Sequence, residues 1–264
     1  MHPRVSLSLA PLRQWSVDQG IAFLRETGVA HGSWSLGQFA GGGALAQRVR
    51  DDAPPTATVG TGGLDLLASP EAALASLTPL VDLAQALASP IAFSVSGASP
   101  PRLPGDEALR MLIANLAPAV AEARAKGVWL SIENNGAATR DLGFIQTLAD
   151  AALLARETGA GIALELQNCW YECQLARTFR EIVGRVAIVQ VSDFQTGEEL
   201  RFNRRVPGDG SIPLEWLMGE LLEAGYTGLF EIELLGPAIN AEGPEAAMRR
   251  GLDWLSERLV KWGA

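Results

Sequence analysis

A regular alternation of short β-rich runs and longer helical patterns constrains the fold of this chain more than any other feature. Eight runs are typical of strands, at residues 5–9, 29–36, 56–60, 91–97, 128–133, 161–166, 186–192 and 229–234. Helical patterns lie between them, among them residues 70–88, 106–126, 143–158, 214–224 and 244–261. Eight units in 264 residues give 264/8 = 33 residues each, the length of a strand and its helix. The alternation predicts a parallel sheet that closes into a single (β/α)8 TIM barrel over residues 1–264.

An open, doubly wound sheet is the alternative architecture for such an alternation. Sheets of that kind that bind dinucleotides carry a Gly-x-Gly-x-x-Gly run directly after the first strand. The residues after the first candidate strand of this chain contain no such run. The barrel is therefore the preferred prediction.

Two prolines lie inside helical patterns of the sequence. Pro79 falls within residues 70–88, and Pro118 falls within residues 106–126. Because proline lacks the main-chain N–H and its ring clashes with the preceding turn, we expect a break or a kink at each position.

Charge and cysteine content exclude several classes of partner and compartment. The 21 Lys and Arg residues against 30 Asp and Glu residues give a net charge of −9, which disfavours binding to nucleic acid or to anionic membrane surfaces. No apolar run approaches the ~20 residues that a spanning helix requires, and no secretory leader opens the chain. Cys169 and Cys173 are too few for a disulfide framework. We expect a cytoplasmic protein without nucleic-acid or membrane partners.

Polar side chains occupy the inward-facing positions near the ends of the last four strands. Alternate residues of a barrel strand point inward, which selects Glu133, Glu165, Gln190, Glu231 and Glu233. Neighbouring carboxylates in a barrel mouth repel one another, so they need a bound cation, raised pKa values, or pairing with Arg or Lys inside the barrel. Oxygen ligands of this kind suit a hard divalent ion, Mn²⁺ or Mg²⁺, better than zinc. The predicted metal ligands are Glu133, Glu165, Gln190 and Glu233.

Four motifs in this half of the chain resemble a known family. They are Ser-Ile-Glu-Asn-Asn at 131–135, Val-Gln-Val-Ser-Asp at 189–193, Val-Pro-Gly-Asp-Gly at 206–210 and Gly-Tyr-Thr-Gly-Leu-Phe-Glu-Ile-Glu at 225–233. In this order and spacing they resemble the sugar phosphate isomerase/epimerase family of the xylose-isomerase-like TIM barrel superfamily. That superfamily includes ketose epimerases, inosose isomerases and dehydratases, dehydroshikimate dehydratases, C-glycoside-cleaving enzymes and apurinic endonucleases.

The resemblance implies a divalent metal ion held by Glu, Asp, His and Glu. Glu133 matches the first ligand and Glu233 the last, whereas Glu165 stands where Asp is usual and Gln190 stands where His is usual. A glutamine carbonyl is a neutral and weaker ligand, so these departures lower the expected metal affinity. Mn²⁺ or Mg²⁺ is the expected ion, with Co²⁺ or Zn²⁺ as alternatives. Asn168 stands at the position of a substrate-contacting His.

The resemblance also implies a reaction. Glu133 and Glu233 would act as the acid and base that move a proton beside a carbonyl of a sugar, keto-sugar or cyclitol, through an enediolate. The same pair could expel a leaving group, which keeps a lyase open as the alternative, either a dehydratase or a 3-keto-glycoside- or C-glycoside-cleaving enzyme. A barrel that only binds its ligand is a third reading. An apurinic endonuclease is disfavoured by the acidic charge and by a content of two histidines.

Further residues are predicted to contact a small, carbohydrate-like substrate. Arg201, Arg204 and Arg205 precede the Val-Pro-Gly-Asp-Gly motif, in a loop that could reach over the barrel mouth. His31 is expected to end the second strand and to face the pocket. Many members of the family that the chain resembles are dimers or tetramers, which implies a homo-oligomer.

Overall fold

The computed structural model of the chain describes residues 1–39, 43–62 and 64–264, which form a closed parallel barrel. Eight strands follow one another around the ring in sequence order, and the first pairs with the last. The strands are β1 (Val5–Ser8), β2 (His31–Ser35), β3 (Thr56–Thr61), β4 (Ile91–Ser94), β5 (Trp129–Glu133), β6 (Gly161–Glu165), β7 (Val186–Val191) and β8 (Phe230–Ile232). The prediction of a single (β/α)8 TIM barrel is confirmed.

Helices connect the strands and cover the outside of the ring. They are α1 (Val17–Thr27), α2 (Gly43–Asp52), α3 (Pro70–Ala86), α4 (Gly105–Ala125), α5 (Leu148–Thr158), α6 (Leu175–Ile182), α7 (Leu214–Glu223), α8 (Pro237–Glu242) and α9 (Pro244–Trp262). No helix within the described ranges is both long enough and apolar enough to cross a membrane.

The sequence predicts a break or a kink at each internal proline, and the structure shows no break at either position. α3 continues past Pro79, and α4 continues past Pro118. Leu77 and Leu80 flank the first proline and are fully buried, and Leu116 is fully buried beside the second. Burying each leucine stabilises the fold by about 2 kcal/mol, so two per helix offset the roughly 3 kcal/mol that an internal proline costs. In α4 the second is Leu112, which is also fully buried.

Alternate strand residues fill the inside of the barrel. Phe93, Ala163 and Ile188 form an apolar layer there, with Leu229 packed against it. The layer comes from β4, β6 and β7. It agrees with the prediction that alternate strand residues point into the barrel.

A polar group inside the barrel surrounds Glu231. Its Oε1 lies 3.5 Å from the hydroxyls of both Ser6 and Thr58, and Gln190 Nε2 donates to its Oε2 at 3.3 Å. Ser6 in turn lies 3.2 Å from the hydroxyl of Ser33. All five side chains are buried. The carboxyl group of Glu231 is therefore held by hydrogen bonds between strands.

Candidate active site

Three carboxyl groups and one guanidinium converge at the carboxyl ends of β5, β6 and β8. Glu133 is the last residue of β5, Glu165 is the last residue of β6, and Glu233 directly follows β8. Arg204 reaches them from the segment between β7 and α7. Its Nη1 lies 2.8 Å from Glu165 Oε2 and 2.7 Å from Glu233 Oε2. Arg204 is 9% exposed and Glu165 is fully buried, so this ion-pair network is shielded from water.

The two contacts of the guanidinium are not equivalent. Arg204 Nη1 donates directed hydrogen bonds to the Oε2 and main-chain oxygen of Glu233, at 2.7 and 2.8 Å. Glu165 Oε2 accepts no hydrogen bond from the described residues, although the guanidinium nitrogen is close. Glu165 Oε1 accepts from the main-chain N–H of Gln167 at 3.0 Å. Arg204 therefore meets Glu165 as a charge contact and Glu233 as a hydrogen-bonded ion pair.

The main chain around Arg204 is fixed to two strands. Its N–H donates to the main-chain oxygen of Leu235 at 3.0 Å, just beyond β8. The next residue, Arg205, exchanges main-chain hydrogen bonds of 2.8 and 3.0 Å with Asp193, just beyond β7. The guanidinium is therefore placed by backbone pairing at both sides and not by its side chain alone.

The carboxylate of Asp193 organises the loop that carries Arg204. Its Oδ1 accepts from the main-chain N–H groups of Phe194 and Ile212 at 2.8 and 3.0 Å. Its Oδ2 accepts from those of Gly208 and Gly210, each at 3.0 Å. A side chain at Gly210 would begin 2.2 Å from Asp193 Oδ1, which explains a glycine in the Val-Pro-Gly-Asp-Gly motif.

The Ser-Ile-Glu-Asn-Asn motif joins β5 to β6. Asn134 Oδ1 accepts from the main-chain N–H of Glu165 at 2.9 Å, and its Nδ2 donates to the main-chain oxygen of Glu165 at 3.1 Å. Asn135 Nδ2 donates to Glu133 Oε1 at 3.3 Å. Asn168 Nδ2 donates to the main-chain oxygen of Asn134 at 2.9 Å. Asn134 thus fixes the main chain of Glu165, and Asn135 holds the carboxyl group of Glu133.

Burial shifts the pKa values of these groups. Burial raises the pKa of Glu133 well above its ordinary value, and the nearby Glu233 and Glu165 raise it further. Burial raises the pKa of Glu165 to about 7, although Arg204 opposes the rise. Burial alone would lower the pKa of Arg204, but Glu165 and Glu233 outweigh it and raise that pKa above the usual range. The guanidinium keeps its charge, whereas burial favours the protonated forms of Glu133 and Glu165.

A cavity of about 170 Å³ opens onto this cluster. Glu133, Glu233, Arg204 and the predicted substrate residue Asn168 line it. Sequence reasoning missed several other lining residues, which are Arg13, Asn135 and Gln167 among the polar ones and Val95, Leu142, Leu200, Phe202 and Leu235 among the apolar ones. Asn135 belongs to a quoted motif and could have been selected. Leu200 and Phe202 lie in a loop that has no periodic pattern.

Two of the three predicted substrate arginines are engaged elsewhere. Arg201 binds both carboxylate oxygens of Asp141, at 2.6 and 2.8 Å, and also the main-chain oxygen of Ala138. Arg205 pairs with the carboxylate of Glu198. A substrate role for either residue stays a prediction, and in this structure both hold loop segments together.

The expected position of His31 is corrected by the structure. His31 is the first residue of β2 and not the last, so it lies at the amino ends of the strands, opposite the cavity. Its register partner in β1 is Ser6, near the start of that strand. His31 therefore does not face the cavity at the carboxyl ends of the strands.

The arrangement of the four predicted metal ligands does not fit a divalent ion. Glu165 and Glu233 already contact the guanidinium of Arg204, and the amide nitrogen of Gln190 donates to Glu231. Gln190 Oε1 has no hydrogen-bond partner among the described residues, but a neutral oxygen alone does not make a metal site. Within residues 1–39, 43–62 and 64–264, no cluster of three or more His, Cys, Asp or Glu side chains is arranged to hold a metal ion.

Known structures share this fold at low sequence identity. Protein SMc04130 from Sinorhizobium meliloti 1021 is 22% identical with a TM-score of 0.85, and 98% of each chain is covered. The IolI protein, solved with a binding zinc atom, is 13% identical with a TM-score of 0.82 and the same coverage. D-psicose 3-epimerase from Clostridium cellulolyticum H10, solved with D-tagatose, is 13% identical with a TM-score of 0.79. That alignment covers 97% of this chain and 98% of the epimerase.

A family comparison agrees with the motifs at the strand ends. No curated protein matches the chain. The model of the family described as xylose isomerase-like TIM barrel matches residues 9–258, which is nearly the whole chain. The match confirms the resemblance that those motifs indicate. The chain therefore belongs to the xylose isomerase-like TIM barrel family.

Proposed function

We propose that the chain is an isomerase or epimerase that acts on a small sugar, keto-sugar or cyclitol by proton transfer through an enediolate. One observation carries the proposal: Glu133 and Glu233 line the same cavity from β5 and from the end of β8. These two strands stand three apart in the ring of eight. The two carboxyl groups therefore approach a bound substrate from different sides, as the removal and return of a proton require.

The surroundings of the two carboxyl groups suggest which is the base. Glu233 accepts hydrogen bonds from Arg204 at 2.7 Å and from the hydroxyl of Ser8 at 3.2 Å. Glu133 accepts from the neutral amide of Asn135. A cation favours the ionised form of its neighbour, so we assign the base to Glu233 and the acid to Glu133. Glu233 takes the proton from the carbon beside the carbonyl. Glu133 returns a proton either to the opposite face of the same carbon, which gives the epimer, or to the former carbonyl carbon, which gives the isomer.

The size of the cavity and the family support a small carbohydrate-like substrate. About 170 Å³ is below the 300–1,000 Å³ that is usual for pockets of drug-sized ligands. D-psicose 3-epimerase, with its bound D-tagatose, shares the fold. The zinc atom of IolI supports the divalent ion that the sequence predicts. In this chain, however, the guanidinium of Arg204 already contacts the predicted ligand Glu165. The steps proposed above use only residues of the chain.

Deuterium exchange tests the proposal directly. Purified protein is incubated in D₂O with ketoses that include D-tagatose and with keto-cyclitols, and NMR follows the loss of the C–H signal beside the carbonyl. We expect exchange with at least one substrate, and a loss of at least about 100-fold in Glu133→Gln and in Glu233→Gln. Glu199→Gln, an exposed change in the loop after β7, is the control and keeps the rate. Exchange that survives both active-site changes would contradict the assignment.

A lyase is the second candidate, because part of the cavity is apolar. Val95, Leu142, Leu200, Phe202 and Leu235 form this apolar wall. A sugar alone offers little surface to such a wall, whereas an aglycone would pack against it. The product decides between the two: an isomerase conserves the mass of its substrate, and a lyase releases water or an aglycone. Mass spectrometry of the reaction mixture measures this. A protein that only binds its ligand would give neither product nor exchange.

Location and assembly complete the proposal. The net charge of −9 agrees with a protein of the cytoplasm that binds neither nucleic acid nor membranes. A homo-oligomer follows from the resemblance to a family in which dimers and tetramers are common. Light scattering of the purified protein against a monomer mass of 28.0 kDa tests the assembly.

A further inference from the structure

We infer that the guanidinium of Arg204 is the built-in cation of this site and that it binds and polarises the carbonyl oxygen of the substrate without a metal ion. The inference rests on the proton-transfer function proposed above. Arg204 contacts the carboxyl groups of Glu165 and Glu233, and it lines the cavity together with Glu133 and Glu233.

The arginine is fixed more firmly than an ordinary surface side chain. Its main-chain N–H is bound to Leu235, and the next residue is bridged to Asp193. Its Nη1 holds Glu233 through two oxygens and contacts Glu165. A divalent ion that bound these carboxylates would displace the guanidinium and leave its buried charge unpaired. The cluster therefore favours the cation that the chain itself carries.

Part of the guanidinium remains available to a ligand. An arginine side chain has five N–H donors, and the side-chain hydrogen bonds and ion pairs found for Arg204 in the described part of the chain all involve Nη1. Nη2 and Nε have no hydrogen-bond partner in the described residues, and neither atom is fully buried. The side chain as a whole is 10% exposed. Because Arg204 lines the cavity, we assign this remaining exposure to Nη2 and Nε. They can donate to a carbonyl oxygen bound there.

The reaction balances without a further reagent. The Glu233 carboxylate takes the proton from the carbon beside the carbonyl, and the electron pair of that C–H bond forms the C=C bond of the enediolate. The π electrons of the carbonyl move to its oxygen, whose negative charge faces the guanidinium. Arg204 keeps its protons throughout, because its pKa is too high for proton transfer, and it acts through charge and hydrogen bonds. In epimerisation Glu133 then donates its proton to the opposite face of the same carbon. The electron pair of the C=C bond forms the new C–H bond, and an electron pair of the oxyanion re-forms the carbonyl. Glu233 is then protonated and Glu133 ionised, and proton exchange with water restores the starting state.

Metal binding of the wild-type protein tests the inference without any substrate. Isothermal titration with Mn²⁺ and with Zn²⁺, after dialysis against EDTA, should show no stoichiometric binding tighter than about 10 µM. Tight binding at one ion per chain would overturn the inference. This measurement needs no variant, so it remains decisive if a change at Arg204 prevents folding.

Exchange kinetics separate the inference from the function on which it rests. The wild-type rate in D₂O should be the same with EDTA and with added Mn²⁺. Arg204→Gln should lower it at least about 100-fold, and Arg204→Lys should retain part of it, because a lysine keeps the charge but not the planar donors. Arg177→Gln on α6, which removes an exposed Arg–Glu pair, is the control, and circular dichroism checks the fold of each variant.

Each outcome of these two measurements is distinct. Exchange that requires added metal leaves the proposed function intact and overturns the inference. Exchange that is independent of metal but unaffected by Arg204→Gln also overturns it. An absence of exchange under every condition refutes the proposed function, and with it the catalytic part of the inference.

Discussion

One carboxylate, that of Asp193, accepts hydrogen bonds from four main-chain N–H groups of the loop after β7. The residue is 1% exposed, so its carboxylate is satisfied by the protein and not by water. Its main chain also pairs with Arg205, next to the arginine of the site. Asp193 does not line the cavity, yet its side chain determines where Arg204 lies.

Removing this side chain should loosen the loop and the site together. In Asp193→Ala four main-chain donors lose their acceptor, two of them in the buried residues Phe194 and Ile212, which should lower the free energy of unfolding by about 3 kcal/mol. Urea denaturation followed by circular dichroism measures the change. Asp253→Ala, an exposed change on α9, is the control and should stay within about 0.5 kcal/mol of wild type. An equally stable Asp193→Ala protein would show that the loop is held by other contacts.

The residues of the site that lie on strands could be predicted, and those on loops could not. Alternation along a strand fixes which residues point inward, and this selects Glu133, Glu165 and Gln190. The partners of Arg204 depend on the path of an irregular loop, which has no period that a sequence reveals. His31 was misplaced for a related reason: the pattern of residues 29–36 indicates a strand but does not say where its pairing begins.

The turn after β8 packs against the loop that carries Arg204. Gly236 has a φ of +118°, a conformation that residues with side chains rarely adopt. A Cβ atom at this position would lie 2.2 Å from the main-chain oxygen of Phe202 and 2.9 Å from the Cα of Asn203. The glycine therefore allows two loops to meet directly beside the site.

A methyl group at Gly236 should push these loops apart. Gly236→Ala combines an unfavourable φ with a main-chain clash, and we expect it to destabilise the protein by about 2–3 kcal/mol. It should also lower the rate of deuterium exchange, because Arg204 follows Asn203 directly. Gly219→Ala is the matched control: this glycine lies within α7 with no atom near its Cβ position, so alanine should stabilise the helix by up to about 1 kcal/mol. Thermal unfolding of both variants measures the difference.

The strands and helices could be predicted because the alternation of β-rich runs and helical patterns is repeated along the whole chain. All eight strands occur where the alternation indicates, since each is a short β-rich run between longer helical patterns. The continuity of α3 and α4 through Pro79 and Pro118 could not be predicted. Local propensity favours a break there, and only the packing of leucines from the same helices outweighs it.

Buried carboxyl groups make the stability of the whole barrel depend on pH. Burial raises the pKa of Glu231 to about 7, and burial does the same for Glu165. Between the ordinary carboxyl pKa of about 4.5 and about 7, the folded chain holds protons that the unfolded chain has lost. The contribution of these two groups to stability is therefore fully present below this range and is lost as the pH rises through it.

Replacing Glu231 should flatten this dependence. The difference in pKa corresponds to a loss of about 3 kcal/mol in the free energy of unfolding between about pH 4.5 and about pH 7. Glu231→Gln keeps the shape of the side chain but has no proton to lose, so this part of the slope should disappear. Urea denaturation at several pH values measures it, with the exposed Glu223→Gln on α7 as control. An unchanged slope would mean that Glu231 does not titrate in this range.

The position of Arg204 among the carboxyl groups determines where the cation of the site comes from. A bound ion must be acquired from the surroundings after synthesis, and it can be exchanged, mistaken or withheld. Arg204 is made with the chain and is held by its own fold. Every folded copy is then complete, and scarcity of trace elements in the medium does not reduce the fraction that is ready to work.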